Sequence, residues 1–114
     1  MTAGALITLM DELVPNVFSD DVKMDLINEI EAKIQMQVFL QDAKDAELIA
    51  TADKATAVLC LPDARKSLYI AWMRAKLYWY MGEYDVYQNE KAMFETEWDE
   101  LVRDECEREH RGTG

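Results

Sequence analysis

The sequence has few of the residues from which catalytic and ligand-binding sites are usually built. It contains a single histidine, His110, close to its C-terminus, and its four glycines are scattered instead of forming a phosphate-binding loop. No arrangement typical of nucleophilic catalysis can be assembled around His110. Cys106 shares a helix face with His110 at a spacing of four residues, but two ligands do not complete a metal site. We therefore expect a protein that is not an enzyme and that binds no metal or cofactor.

Basic residues and long apolar runs are also scarce. Lys and Arg number 12 against 23 Asp and Glu, which gives a net charge of −11. This balance argues against a nucleic-acid-binding surface and against docking on an anionic membrane, because both need a basic surface. The densest apolar run, residues 68–81, contains Arg74 and Lys76 and is shorter than the roughly 20 residues of a membrane span. We expect no membrane contact.

Only two cysteines are present, Cys60 and Cys106, so a disulfide framework is not expected. The N-terminal residues include no basic side chain and only a short apolar run, which argues against a secretory signal. Both observations predict reduced thiols in a protein made in the cytoplasm.

Half of the residues are hydrophobic, enough for one core in a single domain of residues 1–114. Apolar spacing predicts four helices, over residues 3–14, 20–40, 62–82 and 84–110. Ser19 is a good N-cap for the second helix, Asp63 for the third, and Gly82 is a good C-cap for the third. The short link after Gly82 predicts an antiparallel hairpin of the last two helices. The fold class is therefore all-α, a small helical bundle with a long connection at residues 41–61, extended before Pro62.

Residues 62–82 form the predicted central helix. Between residues 68 and 81 it is apolar or aromatic on nearly every face, which is typical of a buried helix. The apolar surface of this helix is larger than a small bundle needs for its core. We therefore predict that one of its faces contacts a neighbouring subunit. We expect Trp72 and Trp79, one heptad apart, to lie in the core. The interface candidates are Arg65, Lys66, Tyr69, Met73 and Tyr80.

The charge is distributed in three blocks. Residues 1–61 and residues 83–114 each carry 11 acidic and 4 basic residues, whereas residues 62–82 carry 1 acidic and 4 basic residues. The basic residues of the central helix are expected to meet acidic helices of the same or a neighbouring subunit. Residues 102–114 are nearly all charged, and we expect this end of the last helix to protrude from the core and fray.

Four segments carry a resemblance to a known family. They are residues 11–15, DELVP; residues 62–69, PDARKSLY; residues 82–87, GEYDVY; and residues 93–98, MFETEW. Their order resembles that in the small head–tail connector, or head-completion adaptor, proteins of tailed bacteriophages and prophages. The resemblance covers both ends of the chain but not residues 41–58. The chain departs from the common pattern at Ala64 and Arg65, where Pro-Tyr-Asp is frequent in the family.

The resemblance implies an α-helical adaptor that forms a ring, often of twelve subunits, below the portal of the virion. Such a ring extends the DNA channel and joins capsid to tail. The implied partners are further copies of the chain, the portal protein, and a downstream head-completion or tail protein. DNA would pass through the channel without specific binding, and an acidic wall would repel its phosphates. The implied location is the head–tail junction of the virion, after synthesis in the bacterial cytoplasm.

A second interpretation stays open, because the matched motifs are structural. The alternative is a helical interaction or regulatory module, unrelated to phages, that oligomerises through the aromatic face of its central helix.

Overall fold

The computed structural model describes residues 1–40 and 48–113, with side chains described as far as residue 108. Four α-helices account for most of this part of the chain, which confirms the all-α fold class. Their bounds are α1, Ala3–Leu13; α2, Asp20–Gln37; α3, Lys66–Tyr80; and α4, Tyr84–Thr113. Two short 3-10 turns, Thr51–Asp53 and Asp63–Arg65, lie in the connection between α2 and α3.

The cap predicted for α2 is confirmed, but the helix ends earlier than expected. The Ser19 side chain accepts a hydrogen bond from the Val22 amide, as an N-cap residue does. At the other end, the Phe39 amide bonds back to the Ile34 carbonyl at 3.2 Å, and Leu40 adopts a φ of 56°. A left-handed residue cannot continue an α-helix, so α2 stops at Gln37 instead of residue 40.

The predicted hairpin of the last two helices is confirmed. Gly82 has a φ of 78°, which favours glycine, and its amide bonds to the Trp79 carbonyl at 3.1 Å. The Glu83 amide then bonds to the Tyr78 carbonyl at 2.9 Å, and α4 begins at the next residue. These two bonds satisfy carbonyls at the end of α3 and reverse the chain, so α3 and α4 pack side by side.

The start of the central helix differs from the prediction. Asp63 does not cap α3, because a 3-10 turn over Asp63–Arg65 intervenes and the α-helix begins at Lys66. The Asp63 carboxylate instead lies 2.6 Å from the amino group of Met1. This ion pair holds the pKa of Asp63 below its ordinary value and joins the start of α3 to the N-terminal segment.

The hydrophobic core lies around α3, which contacts each of the other three helices. The Trp72 indole is 7% exposed and donates a hydrogen bond to the Leu26 carbonyl at 3.0 Å, which confirms its predicted core position. Tyr69 and Met73 are also in the core, 1% and 0% exposed. They cannot serve as interface residues on the subunit surface, because both side chains are buried in the core of the subunit.

The connection between α2 and α3 is tied to the helices by polar contacts. The Asn28 side-chain amide holds the backbone of Ile49 with two hydrogen bonds, of 2.9 and 2.8 Å. Val58 forms an antiparallel bridge with Thr2, which confirms the extended run predicted before Pro62. Gly4 donates to the Lys54 carbonyl at 2.8 Å, and a Cβ at this position would lie 3.1 Å from that oxygen. A glycine therefore permits the close approach of the connection to α1.

Two predictions fall wholly or partly outside the described residues. Residues 41–47 of the predicted connection are not among them. The backbone of α4 is helical as far as Thr113, beyond the predicted end at residue 110. The fraying predicted for residues 102–114 stays a prediction, since the side chains from residue 109 onward also lie outside the described part.

Candidate interaction surfaces

The basic cluster of the central helix is largely used within the subunit. The Arg65 side chain pairs with Asp104 of α4, and Arg74 lies 3.1 Å from Glu90 of the same helix. The Lys76 ammonium is 3.7 Å from Glu29 of α2 and 4.7 Å from the centre of the Trp72 ring. The expected meeting of these basic residues with acidic helices therefore occurs inside one subunit.

Two of the remaining interface candidates are exposed. Lys66 lies at the surface at the start of α3, and Tyr80 is 50% exposed at its end. Its ring packs against that of Phe18 in the α1–α2 loop, with ring centres 5.8 Å apart and planes inclined by 66°. Tyr80 therefore combines a fixed position with a free ring surface, as an interface residue requires.

Trp79 is not in the core, contrary to the prediction. It is 48% exposed. Trp72 and Trp79 share a helix face, but seven residues separate them by about 10 Å along the axis. At Trp72 this face meets α2, whereas at Trp79 it meets the first turn of α4, where Tyr84 and Tyr87 lie.

The exposed aromatic residues are concentrated at the tip of the α3–α4 hairpin. We define the hairpin-tip surface as Trp79, Tyr80, Met81, Tyr84 and Tyr87. The centre of the Trp79 ring lies 5.0 Å from that of Tyr84 and 4.9 Å from that of Tyr87, with planes tilted by 57° and 55°. Tyr84 is 54% exposed. Contiguous exposed aromatic surface of this kind is typical of a protein-binding site.

A groove of about 390 Å³ runs between α3 and α4. Ile70 and Met93 line it on opposite sides, and the Arg74–Glu90 pair closes one wall. Met93 is mostly exposed, so the groove offers apolar surface to a neighbour. It lies on the same hairpin as the tip, between the two helices.

A buried polar network joins α2, α3 and the end of the connection. The Glu31 carboxylate, 6% exposed, accepts hydrogen bonds from the Tyr69 hydroxyl, from the Cys60 amide at 2.9 Å and from the Cys60 thiol at 3.3 Å. The Tyr69 hydroxyl in turn accepts from the Leu61 amide at 3.1 Å. These contacts hold residues 60–61 in place against Glu31 of α2 and Tyr69 of α3.

This environment suppresses the ionisation of both acidic hydrogen-bond donors. Burial, followed by the neighbouring Glu31 carboxylate, raises the pKa of Cys60 to about 12. The same two causes raise the pKa of Tyr69 above its ordinary value. A thiol with a raised pKa is a poor nucleophile at neutral pH, so Cys60 has the character of a structural residue.

Sequence reasoning missed this network and a second polar feature. Glu31 follows Ile27 by four residues and precedes Ile34 by three, so its position on the apolar stripe of α2 was the available signal. The ammonium of Lys33 lies 5.1 to 6.0 Å from the ring centres of Trp98, Phe94 and Trp72. The spacing of α2 alone does not indicate such a cation–π contact, because the rings come from α3 and α4.

No group of three His, Cys, Asp or Glu side chains comes together as a metal site would require, within the part of the chain that the structure describes. Over the same residues, no helix has both the length and the apolar character needed to cross a membrane. Comparison with known proteins gives no match to a family model, a curated protein or a solved structure.

Proposed function

We propose that the protein is a structural adaptor of the head–tail junction of a tailed phage or prophage. In this role it forms a ring below the portal, extends the DNA channel and joins the capsid to the tail. The observation that carries the proposal is the hairpin-tip surface, where Trp79, Tyr80 and Tyr84 are each about half exposed. Aromatic residues are enriched at protein interfaces and supply much of their binding energy, and adaptor function depends on such contacts.

The positions of the family-like segments support this role. Residues 11–15 end α1, residues 62–69 form the entry into α3, residues 82–87 form the hairpin turn, and residues 93–98 lie in α4. Each segment therefore lies on or next to a contact between helices. Because these segments determine how the helices are joined, their resemblance to the connector family supports a shared arrangement of helices.

The dimensions and charge of the molecule are also suited to the role. The 30 residues of α4 span about 45 Å, close to the longest dimension of the subunit, 49 Å. A helix of this length can contact neighbours on two levels of an assembly. The net charge of −11 suits the wall of a channel through which DNA moves, because acidic groups repel phosphates and prevent binding.

Co-expression with the portal protein encoded in the same genome tests the proposal. Native mass spectrometry of the purified complex should detect portal with several copies of this chain, up to a ring of about twelve times 13.2 kDa. The free chain is not informative alone, since a connector can stay monomeric until its portal is present. Absence of both a complex and a ring in the co-expressed sample would contradict the proposal.

A matched pair of variants shows whether the hairpin tip carries the contact. Tyr84→Ser removes an exposed ring from the tip, and we expect at least tenfold weaker assembly, because central interface aromatics commonly contribute more than about 1.4 kcal/mol. Val17→Ser changes an apolar side chain that is 99% exposed in the α1–α2 loop, and assembly should be unchanged.

The interaction module unrelated to phages predicts a different result in the same sample. That module would form a dimer through the hairpin-tip surface with or without portal, and the dimer would be lost in Tyr84→Ser. The genes beside the coding sequence add an independent test, since portal, capsid and tail genes favour the adaptor.

A further inference from the structure

We infer that the hairpin-tip surface binds an arginine-bearing or lysine-bearing segment of a different protein, with the cation held against the rings of Trp79, Tyr84 and Tyr87. The inference rests on the proposed use of the tip as a docking surface and specifies the chemistry of the partner. It can be tested on the isolated chain, without any phage component.

The arrangement of the three rings favours a cation. Both tyrosines pack on the same tryptophan at about 5 Å, and the tilts of 57° and 55° leave ring faces that are not covered by parallel stacking. The face of an aromatic ring is its negative side, so a guanidinium or ammonium placed over it is attracted. Trp79 and Tyr84 each keep about half of their surface open to such a group.

The charge around the rings is complementary to a cation. Glu83 and Asp85 are exposed beside Trp79 and Tyr84, and residues 77–90 contain no Lys or Arg. Lys76, just before this stretch, is directed to Glu29 and to the Trp72 ring. An acidic rim around exposed rings attracts basic partners and disfavours acidic ones.

The same chain already uses this chemistry inside the subunit. Lys33 lies 5.1 Å from the centre of the Trp98 ring and 5.6 Å from that of Phe94, between α2 and α4. At that site α2 supplies the cation to aromatic rings of α3 and α4. At the hairpin tip the rings and the acidic rim are present, and a partner would supply the cation.

A different protein fits the tip better than a second copy of this chain. Basic side chains of the described residues are largely paired with carboxylates of their own subunit: Lys23, Lys54, Arg65, Arg74, Lys76, Lys91 and Arg108. Two copies would also bring two chains of net charge −11 together. A basic segment of another protein would bring its own cations and would avoid the repulsion between two acidic chains.

Titration with an arginine peptide tests the inference. The probe is an acetylated and amidated peptide of alternating glycine and arginine, and the control peptide carries citrulline, which is neutral, in place of arginine. The indole N–H signals of the three tryptophans are followed by NMR, with that of Trp79 assigned from its absence in Trp79→Phe. We expect a saturable shift of the Trp79 signal with the arginine peptide, and little or none with the citrulline peptide.

Two substitutions at one position separate cation binding from apolar contact. Trp79→Leu keeps an apolar side chain but removes the ring face, so the dissociation constant, followed at Gln or backbone amide signals near the tip, should rise about two- to fivefold. Trp79→Phe keeps a ring and should retain most of the binding. Glu83→Gln combined with Asp85→Asn should weaken binding and reduce its dependence on salt.

Three results would overturn the inference: no saturable shift up to about 10 mM peptide, equal shifts with the citrulline peptide, or equal affinity in Trp79→Leu. Circular dichroism checks that each variant is folded. If the peptide does not bind but Tyr84→Ser still abolishes assembly with portal, the partner chemistry is wrong and the adaptor role stands. If the peptide binds and no portal complex forms, the partner chemistry stands and the adaptor role is wrong.

Discussion

Replacing Tyr69 with phenylalanine tests whether the buried network around Glu31 stabilises the fold. The change removes one oxygen and leaves the ring, which is 1% exposed, in its packed position. That oxygen donates to the Glu31 carboxylate and accepts from the Leu61 amide. The variant therefore removes these two hydrogen bonds, and a weaker contact of the hydroxyl with the Cys60 thiol at 3.7 Å, with little change in apolar packing.

The expected loss of stability follows from these two bonds. A hydrogen bond to a charged group contributes about 1.5–3 kcal/mol, and a buried amide left without an acceptor costs about 1–3 kcal/mol. Because both bonds share one oxygen, their contributions overlap. We expect the free energy of unfolding to fall by about 3 kcal/mol, a large part of the roughly 5–15 kcal/mol typical of a domain.

Urea denaturation followed by circular dichroism measures this loss. For a slope of about 2 kcal/mol per molar urea, the midpoint should fall by about 1.5 M. The matched control is Tyr84→Phe, which removes a hydroxyl from a residue that is 54% exposed and should change stability by less than about 0.5 kcal/mol.

A double-mutant cycle with Glu31→Gln isolates the charged bond. In the Gln background the Tyr69 hydroxyl bonds to a neutral amide, so its removal should cost about 1 kcal/mol less than in the original chain. If Tyr69→Phe unfolds within about 0.5 kcal/mol of the original chain, the network does not stabilise the fold and this reasoning is refuted.

Four further outcomes are expected from the same structure. Gly82→Ala should lose about 1 kcal/mol through backbone strain at φ 78°, and Gly82→Asn should lose less; urea denaturation compares them. Met73→Ala should lose about 2–5 kcal/mol, and Tyr80→Ala under about 1 kcal/mol, because only Met73 is fully buried. Iodoacetamide at pH 8, with peptide mass spectrometry, should modify Cys106 faster than Cys60, because both residues are exposed but the pKa of the Cys60 thiol is raised. Because folding raises the pKa of Cys60 from 9.0 to about 12, the folded chain keeps this proton at pH values where the unfolded chain loses it. The free energy of unfolding should therefore fall between pH 9.0 and about 12, and it should fall less steeply in Cys60→Ser.

The helices could be predicted from sequence because their signals are local. Ser19 caps α2, and Gly82 ends α3 with a positive φ. The spacing of the apolar residues indicates helices instead of strands. The errors occur where the end of a helix depends on distant contacts. Asp63 has the right chemistry for a cap, yet its carboxylate pairs with the amino group of Met1, which no local pattern reveals.

Which face of α3 lies in the core could not be predicted. A helix that is apolar all round has no stripe to indicate its buried side, so the packing of the other helices decides. The prediction assigned Tyr69 and Met73 to the surface and Trp79 to the core, and the structure places all three the other way round. The position of Glu31 on the apolar stripe of α2 signals a buried carboxylate, but its partners Tyr69 and Cys60 could not be predicted, since the network joins three segments far apart in sequence.

The rings of the hairpin tip leave about half of their surface open to solvent, and this exposure supports the proposal that they serve contact. The core is closed by Trp72, Phe94 and Leu101, which are all buried, whereas Trp79 and Tyr84 lie beyond them with about half of their surface open to solvent. Removing either ring should cost less stability than removing a ring of the core, because about half of the transfer free energy of a half-exposed side chain is not gained on folding. A substitution such as Tyr84→Ser therefore separates the two roles: if assembly is lost while the urea midpoint is kept, the tip serves binding, and if both fall together, it serves the fold.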